Sequence, residues 1–419
     1  KAPDSVEAIN NLGICKQKTG NINEAEQLFL KALQLNSNFE SALYNLANIY
    51  KESCETEKAQ TYYQKVLALN PEHAQAIAGL GVCYTLNGEP DQAYEYYVKA
   101  LKIAPNDDSI KYNLAAYYLG KGKLSEAWPL YHSRNLEKHR LAIDVSQLNP
   151  NKLKDKRILL TREQGIGDEI FFLRYLENLA QYTSSIDYLA NPKLAELITQ
   201  LPHINKVHSE DCTLGEYDFI ISVADLPLLM QQDNDFPASI HLKPENRHLE
   251  RAAALLKQAG PPPYIGLTWR AGQQVKGLLY KEAPLADLMT TLQSNSGTFV
   301  ILQRNPLPED FETLGNFASR HAMLDLSSAN DDLPFMLAVL QQIDHYVGVS
   351  NTNMHLMAAL GKTADVLVTF PPEWRWCFEV EQSPWFTGFN LFRQDPHYDW
   401  STAFNKLEQH LTKHESKYA

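Results

Sequence analysis

The sequence lacks several features that would assign it to a membrane, zinc or nucleic-acid class. Its 419 residues contain no apolar run approaching the roughly 18 residues that a membrane helix needs, so insertion into a bilayer is not predicted. Positive charge is in deficit, and a net charge of −12 argues against general binding to nucleic acids or anionic lipids. The histidines form no His-Glu-x-x-His arrangement, so a zinc enzyme of that type is not predicted.

Cysteine is also scarce, and its distribution favours a cytoplasmic protein with reduced thiols. The cysteines form no Cys-x-x-Cys pair or other metal-ligand spacing, and their number is odd. They are Cys15, Cys54, Cys83, Cys212 and Cys377. We interpret each of them as a small, buried hydrophobic side chain.

The first third of the chain is an internal repeat with a period of 34 residues. In each unit a leucine is followed by a small residue, an alanine stands thirteen positions after the leucine, and an aromatic residue follows four positions later. The leucines are Leu12, Leu46, Leu80 and Leu114, and the aromatics are Phe29, Tyr63, Tyr97 and Tyr131. This pattern resembles the tetratricopeptide repeat, a pair of packed helices. The resemblance predicts an α superhelix of about four repeats over residues 1–138, followed by a linker over 139–156.

The repeats also suggest a peptide partner and an array that lacks its N-terminal part. A stack of such helix pairs forms a concave surface that can hold an extended peptide, although the array could instead only buttress the rest of the protein. Pro3 lies one period before Ser37, at the position where the next repeats carry Pro71 and Pro105. We therefore expect the array to be truncated at its N-terminus.

From Arg157 onward, short apolar runs alternate with amphipathic stretches, which is typical of parallel α/β structure. We assign a first lobe to residues 157–248 and a second lobe to residues 249–419. The predicted strands are 157–161, 185–190, 206–208 and 218–222 in the first lobe, and 264–269, 298–303, 345–349 and 364–369 in the second. Two such lobes with a cleft between them suggest a ligand outside the carboxyl ends of the strands.

A glycine turn follows the first predicted strand, with the sequence Glu-Gln-Gly-Ile-Gly-Asp over 163–168, and a helix is predicted over 171–182. Gly165 and Gly167 permit a tight turn and a close approach to a ligand. A helix start also offers unpaired N–H groups. Asp168 could cap this helix or face a cleft. Glu169 could replace it, but one position further along a helix points elsewhere.

Three strand-end loops of the second lobe carry polar side chains. The candidates are Arg270, Lys276, Lys281, Gln303, Ser350, Asn351, Thr352, Asn353 and His355. Cations beside a helix N-terminus suit a diphosphate. The alternatives are an ordinary surface lysine for Lys281 and a satisfied core histidine for His355.

Together with the tryptophan-rich motif Trp374-Arg375-Trp376, these residues resemble the bacterial tetratricopeptide-repeat glycosyltransferases, whose catalytic part is similar to the heptosyltransferases of glycosyltransferase family nine. The resemblance implies a GT-B fold of two Rossmann-like lobes, with the acceptor on the N-terminal lobe and a nucleotide-sugar on the C-terminal lobe. It also implies that Asp168 is the base of an inverting transfer, and that Arg270, Lys281 and the helix start at 351–353 stabilise the leaving diphosphate. No metal and no cofactor beyond the nucleotide-sugar co-substrate are expected.

One position departs from the family pattern, since Asn351 stands where the family usually has Asp. An asparagine can donate and accept hydrogen bonds but supplies neither charge nor a base. The departure keeps open an alternative, a catalytically silent module in a repeat-containing scaffold. For an enzyme, the array favours a polypeptide acceptor over a lipopolysaccharide sugar. The Asp-Asn-Asp stretch at 233–235 mimics a metal motif but follows no clear strand end.

Overall fold

The computed structural model describes residues 5–134, 145–146, 148–162, 165–209, 213–230, 235–271 and 281–415. The candidate Lys276, residues 233–234 of the Asp-Asn-Asp stretch, and residues 139–144 and 147 of the predicted linker lie outside these ranges. The chain divides into two compact units, one formed mainly by Lys1–Tyr118 and the other mainly by Leu119–His132 and the chain from Leu136 on. Each unit is described by itself.

The first unit consists of successive helix pairs, as the 34-residue period predicts. The helices are α1 (Val6–Lys18), α2 (Ile22–Leu35), α3 (Glu40–Glu52), α4 (Thr56–Leu69), α5 (Ala74–Leu86), α6 (Pro90–Ile103) and α7 (Asp108–Gly120). The repeated prolines Pro71 and Pro105 each lie two residues beyond a helix end, where a residue without an N–H donor costs no helical hydrogen bond.

The repeated glycines and aromatics meet face to face between the paired helices. A Cβ placed on Gly81 of α5 would lie 2.6 Å from the buried Tyr97 ring of α6, and one on Gly13 would lie 2.6 Å from Phe29. The pattern of a small residue opposite an aromatic residue therefore sets the distance between the two helices of a repeat.

The predicted end of the array at residue 138 differs from the observed division. The eighth helix, α8 (Leu124–Tyr131), belongs to the second unit. Its Trp128 ring lies 6.3 Å from Phe172 and 6.1 Å from Trp374, measured between ring centroids. The aromatic contacts of this helix thus place it with the α/β part.

The second unit contains two parallel sheets with helices between their strands. Its strands are β1 (Arg157–Thr161), β2 (Ser185–Leu189), β3 (Lys206–His208), β4 (Phe219–Ser222), β5 (Tyr264–Thr268), β6 (Arg270–Ala271), β7 (Lys281–Glu282), β8 (Thr298–Ile301), β9 (Ala322–Asp325), β10 (His345–Val349), β11 (Asp365–Val368) and β12 (Asn390–Arg393). Its further helices are α9 (Ile166–Phe172), α10 (Leu176–Ala180), α11 (Ala195–Ile198), α12 (Leu226–Met230), α13 (Asn246–Ala259), α14 (Leu285–Leu292), α15 (Asp310–Ala318), α16 (Leu333–Gln342), α17 (Thr352–Ala359) and α18 (Ser401–Glu415).

The order of the strands positions the loops that follow them. The first sheet has the order β3-β2-β1-β4 and the second the order β12-β11-β10-β5-β8-β9, and every pairing within them is parallel. In each sheet the chain returns to the other side of its first strand, which creates a switch point between β1 and β4 and another between β5 and β10. Ligands of open α/β sheets bind at such points. The predicted fold class, helical repeats followed along the chain by two Rossmann-like lobes of GT-B type, is confirmed.

Several local predictions are wrong. The helix after the glycine turn begins at Ile166, not Phe171, so Asp168 lies within its first turn. Strands β9 and β12 and the antiparallel pair β6–β7 were not predicted. Cys15 and Cys54 are exposed, whereas Cys83 and Cys377 are buried as expected. Among the described residues, none of the helices is long and apolar enough to span a bilayer.

Candidate functional site

The switch points bring Asp168 of the first lobe against the second lobe. Arg375 donates from Nη2 to Asp168 Oδ1, and the two side chains are 12% and 29% exposed. The N-cap of α9 is Gly165, in extended backbone and without a side-chain cap, so Asp168 is not the helix cap that was one reading of the sequence. The carboxylate therefore faces the cleft between the lobes.

Gly167 lies where α9 meets the start of α17. A Cβ at this position would lie 3.0 Å from Cδ2 and 3.2 Å from Nε2 of His355. A side chain here would press directly on the imidazole. Gly167 is thus required for close approach between the two lobes.

Lys281 and Ser350 form a polar cluster with Glu373, an acid that was not predicted from the sequence. We call Lys281 and Ser350 the anion site because they hold the Glu373 carboxylate. The Lys281 ammonium pairs with Glu373 Oε1 and donates to the backbone carbonyl of Ser350 at 3.1 Å. The Ser350 hydroxyl donates to Glu373 Oε2 at 2.8 Å. Burial raises the pKa of the Glu373 carboxyl, but the neighbouring Lys281 and Arg375 more than offset this and hold its pKa below the ordinary value.

Arg270 was predicted to bind the donor, but its charge is already used within the lobe. Its guanidinium makes two bonds to Asp310, at 3.0 and 3.1 Å, and one to Glu282 at 2.8 Å. Asp310 is itself 4% exposed. This buried cluster joins the β6–β7 pair to the start of α15, so the structure gives Arg270 a role in packing.

Gln303 is likewise fully engaged with the backbone. Its Oε1 accepts from the N–H groups of Trp269 and Arg270 at 3.0 and 2.9 Å, and its Nε2 donates to the carbonyls of Arg270 and Arg304. The side chain fixes the end of β5 relative to the end of β8. The side chain positions the loop, and both of its polar atoms are already engaged rather than available to a nucleotide-sugar.

Asn351 is the N-cap of α17. Its Oδ1 accepts from the Asn353 N–H at 2.9 Å, and its Nδ2 donates to Thr268 Oγ1 at 2.8 Å. The same side chain contacts the hydroxyl of Tyr346 at 3.3 Å. The amide that replaces the family's Asp therefore ties the helix start to β5 and β10. Thr352 and Asn353 begin the helix that follows.

His355 is buried in α17 and neutral. Burial lowers its pKa well below the ordinary value, and the positive charges of Arg375, Arg174 and Lys281 lower the pKa further. Its Nδ1 has no hydrogen-bond partner among the described residues. An imidazole in this state is a hydrogen-bonding group rather than a cation for phosphate.

Glu169 points away from the cleft, as its position on the helix predicted. It is completely buried, and its Oε2 accepts from the Tyr188 hydroxyl at 3.0 Å and from the Asn191 N–H at 3.1 Å. Burial raises its pKa to about 7. It anchors α9 to the end of β2 and does not take the place of Asp168.

Aromatic side chains, among them Phe171 and Trp374, pack against the two arginines next to the site. The Arg174 guanidinium lies 4.0 Å from the Phe171 ring centroid and donates to the carbonyl of Trp385 at 3.3 Å. The Arg375 guanidinium lies 4.4 Å from the Trp374 ring and 4.8 Å from Phe171. The rings of Trp374 and Phe171 therefore pack against the guanidinium that donates to Asp168.

The described residues include one group of acids and histidine close enough to hold a metal, formed by Glu196, Glu245 and His248. Both carboxylates already pair with Arg247, at 2.7 and 2.8 Å. The group contains neither Asp168 nor Lys281. It gives no reason to assign a metal to the cleft.

Comparison with known proteins accounts for the first unit. The tetratricopeptide repeat family model matches residues 4–72 and again residues 38–106. This part of the chain is a tetratricopeptide repeat array. The crystal structure of MamA is similar to the array region, with 28% identity over 33% of this chain and 81% of MamA and a TM-score of 0.29.

Two further similarities extend into the α/β part. Protein FlbA of Caulobacter vibrioides is 24% identical in an alignment of 317 residues that covers 69% of this chain and 52% of FlbA, so the chain spans about half the length of that relative. A glycosyl transferase family 9 structure from Veillonella parvula has 14% identity, covers 57% of this chain and 86% of its own, and has a TM-score of 0.43. The TM-scores of the MamA and glycosyl transferase structures are both below 0.5. The function of the second unit is therefore inferred from the geometry of its site.

Proposed function

We propose that the second unit is a glycosyltransferase that moves a sugar from a nucleotide-sugar donor to an acceptor hydroxyl. The observation that supports this most is the meeting of Asp168 with Arg375, beside the anion site of Lys281 and Ser350. A carboxylate base opposite a cationic anion site is what displacement of a diphosphate from an anomeric carbon requires.

In the proposed reaction Asp168 acts as the base. Its Oδ1 is held by Arg375, so Oδ2 is the oxygen that accepts the proton of the acceptor hydroxyl. The acceptor oxygen forms a bond to the anomeric carbon while the bond from that carbon to the donor's phosphate oxygen breaks. The electron pair leaves with the nucleoside diphosphate. Attack from the side opposite the leaving group inverts the configuration.

The charge that develops on the leaving diphosphate would be stabilised by Lys281, by the Ser350 hydroxyl and by the positive dipole end at the start of α17. Arg375 adds a second cation nearby. Because these groups supply the positive charge, we propose that the reaction needs no metal.

We also propose that the acceptor is a polypeptide. What supports this is the repeat array of the first unit, since stacked helix pairs expose an extended surface suited to a peptide. The transfer would then be protein glycosylation, carried out in the cytoplasm, where we place this protein.

The donor site is tested by thermal shift against nucleoside diphosphates and their sugars, with EDTA present. A ligand at a hundredfold excess over its Kd stabilises the fold by about 2.7 kcal/mol. We expect one nucleotide to raise the Tm of the wild type and of Lys193→Ala, a lysine that pairs with Asp331, but not of Lys281→Ala. Failure of every nucleotide to shift the wild type would contradict the proposal.

The base is tested by transfer of mass-labelled sugar to protein acceptors. Asp168→Asn keeps the size of the side chain and should still bind the nucleotide. Loss of a general base typically lowers the rate by about 10²–10⁴-fold, so we expect kcat to fall by that range. Full activity of Asp168→Asn would exclude it as the base.

A scaffold without catalysis is the second candidate, and two observations favour it. Arg270 is neutralised by Asp310 and Glu282, and the Asn351 side chain is occupied in capping α17. A scaffold should bind its peptide partner with the same affinity whether or not a nucleotide sugar is present. An enzyme should bind nucleotide, and that binding should depend on Lys281.

A further inference from the structure

The anion site at the start of α17 already holds an anion, and that anion is part of the protein. The Glu373 carboxylate uses one oxygen for the Lys281 ammonium and the other for the Ser350 hydroxyl. We propose that Glu373 is an intramolecular competitor for the donor's diphosphate, which has to displace it from Lys281 and Ser350 in order to bind. The identity of the ligand rests on the function proposed above, whereas the displacement of Glu373 does not.

The hydrogen-bond donors of this site are too few to serve both the Glu373 carboxylate and a phosphate in full. The Ser350 hydroxyl has a single proton, and it donates that proton to Glu373 Oε2 at 2.8 Å. The Lys281 ammonium has three protons, of which Glu373 takes one and the Ser350 carbonyl takes another. A phosphate that is bound by Ser350 therefore requires Glu373 to give up this bond.

Charge leads to the same conclusion. Burial would favour the neutral form of Glu373, yet Lys281 and Arg375 keep its pKa below the ordinary value, so the group is an anion near neutral pH. A diphosphate beside it would face a like charge in a half-buried site, where repulsion is screened only weakly.

The position of Glu373 in the chain connects its displacement to Asp168. Glu373 is the extended residue that precedes the 3₁₀ turn Trp374–Trp376, and Arg375 lies within that turn. Arg375 in turn donates to Asp168. Movement of Glu373 away from Lys281 would therefore act on the same short turn that holds the partner of the proposed base.

The test compares nucleoside diphosphate and inorganic pyrophosphate binding to wild type, Glu373→Gln and Glu282→Gln by isothermal titration. Glu282 is the matched control, because it neighbours Lys281 in sequence but pairs with Arg270. Removing a like charge from the site should lower the Kd of Glu373→Gln about tenfold, and Glu282→Gln should stay close to wild type. Glu373→Asp, which keeps the charge but shortens its reach, should lie between wild type and Glu373→Gln, and it serves if Glu373→Gln does not fold.

The outcomes separate this proposal from the function on which its ligand rests. If the wild type binds diphosphate and Glu373→Gln binds it equally or more weakly, the proposed competition is overturned, while the diphosphate site itself stands. An equal gain in Glu282→Gln would also overturn it, because the effect would then come from net charge alone. If neither wild type nor any variant binds a diphosphate, both the competition and the glycosyltransferase assignment fail.

Discussion

The buried carboxyl of Glu169 should make the stability of the second unit depend on pH, and Glu169→Gln should remove that dependence. Burial raises the pKa of Glu169 from 4.5 to about 7, and its Oε1 has no hydrogen-bond partner among the described residues. A carboxyl whose pKa is raised by folding contributes stability that is fully present below its unfolded pKa. That contribution is lost as the pH rises through about 7.

The size of the effect follows from the pKa values. At about 1.36 kcal/mol for each pKa unit, the difference between 4.5 and about 7 corresponds to about 3 kcal/mol. The side chain is fully buried, so solvent screening does not reduce this value. In a unit of nearly 300 residues each kcal/mol shifts the Tm by roughly 2 °C, which gives about 6 °C in total, of which about 5 °C falls above pH 5.

The measurement is the Tm of the second unit in the whole chain, for wild type and Glu169→Gln, from pH 5 to pH 8.5. Because glutamine stays neutral, the Tm of the wild type minus that of the variant should fall by about 5 °C over this range. Glu177→Gln, at an exposed position on α10, should show a constant difference. A constant difference for Glu169→Gln as well would mean that the carboxyl is ionised throughout or exposed, and would refute the reasoning.

Two further substitutions test the packing of each unit. Arg270→Ala leaves Asp310 buried without its cation and should lower the free energy of unfolding by about 3–5 kcal/mol. Arg247→Ala breaks a surface pair and should lower it by less than about 1 kcal/mol. Comparable losses of Tm for the two variants would contradict the buried cluster. Gly81→Ala forces a Cβ to within 2.6 Å of a buried tyrosine ring and should destabilise the array by about 1–3 kcal/mol. Gly315 is a helical glycine with open space beside it, so Gly315→Ala should be neutral or stabilising. Thermal unfolding followed by circular dichroism distinguishes the two variants.

Features that repeat or alternate along the chain could be predicted from the sequence. The helix pairs follow from the 34-residue period, and strands such as Arg157–Thr161 and His345–Val349 agree with the predicted bounds. These elements depend on local patterns of apolar and small residues, which a single sequence displays directly. Edge strand β12 was missed because its sequence, Asn390–Arg393, is short and half-polar.

The partners of charged residues could not be predicted, because they are distant in sequence. Asp168 and Arg375 are separated by more than 200 residues, and Lys281 and Glu373 by more than 90. The motif around Trp374 contributed to the family resemblance through its tryptophans, and the charged residues on either side of Trp374 are the signal that points to Glu373 and Arg375. Whether Asp168, Lys281 and the other candidates act on a donor stays a prediction.

The contact of Gly167 with His355 limits which lobes of related proteins can be joined in one chimeric protein. The two residues belong to different lobes, and any side chain at position 167 would press on the imidazole. A first lobe taken from a related protein would therefore pack against this second lobe only if it carried a glycine at that position, or if His355 were changed at the same time. The lobes are separate in topology, but at this contact their sequences are tied to each other.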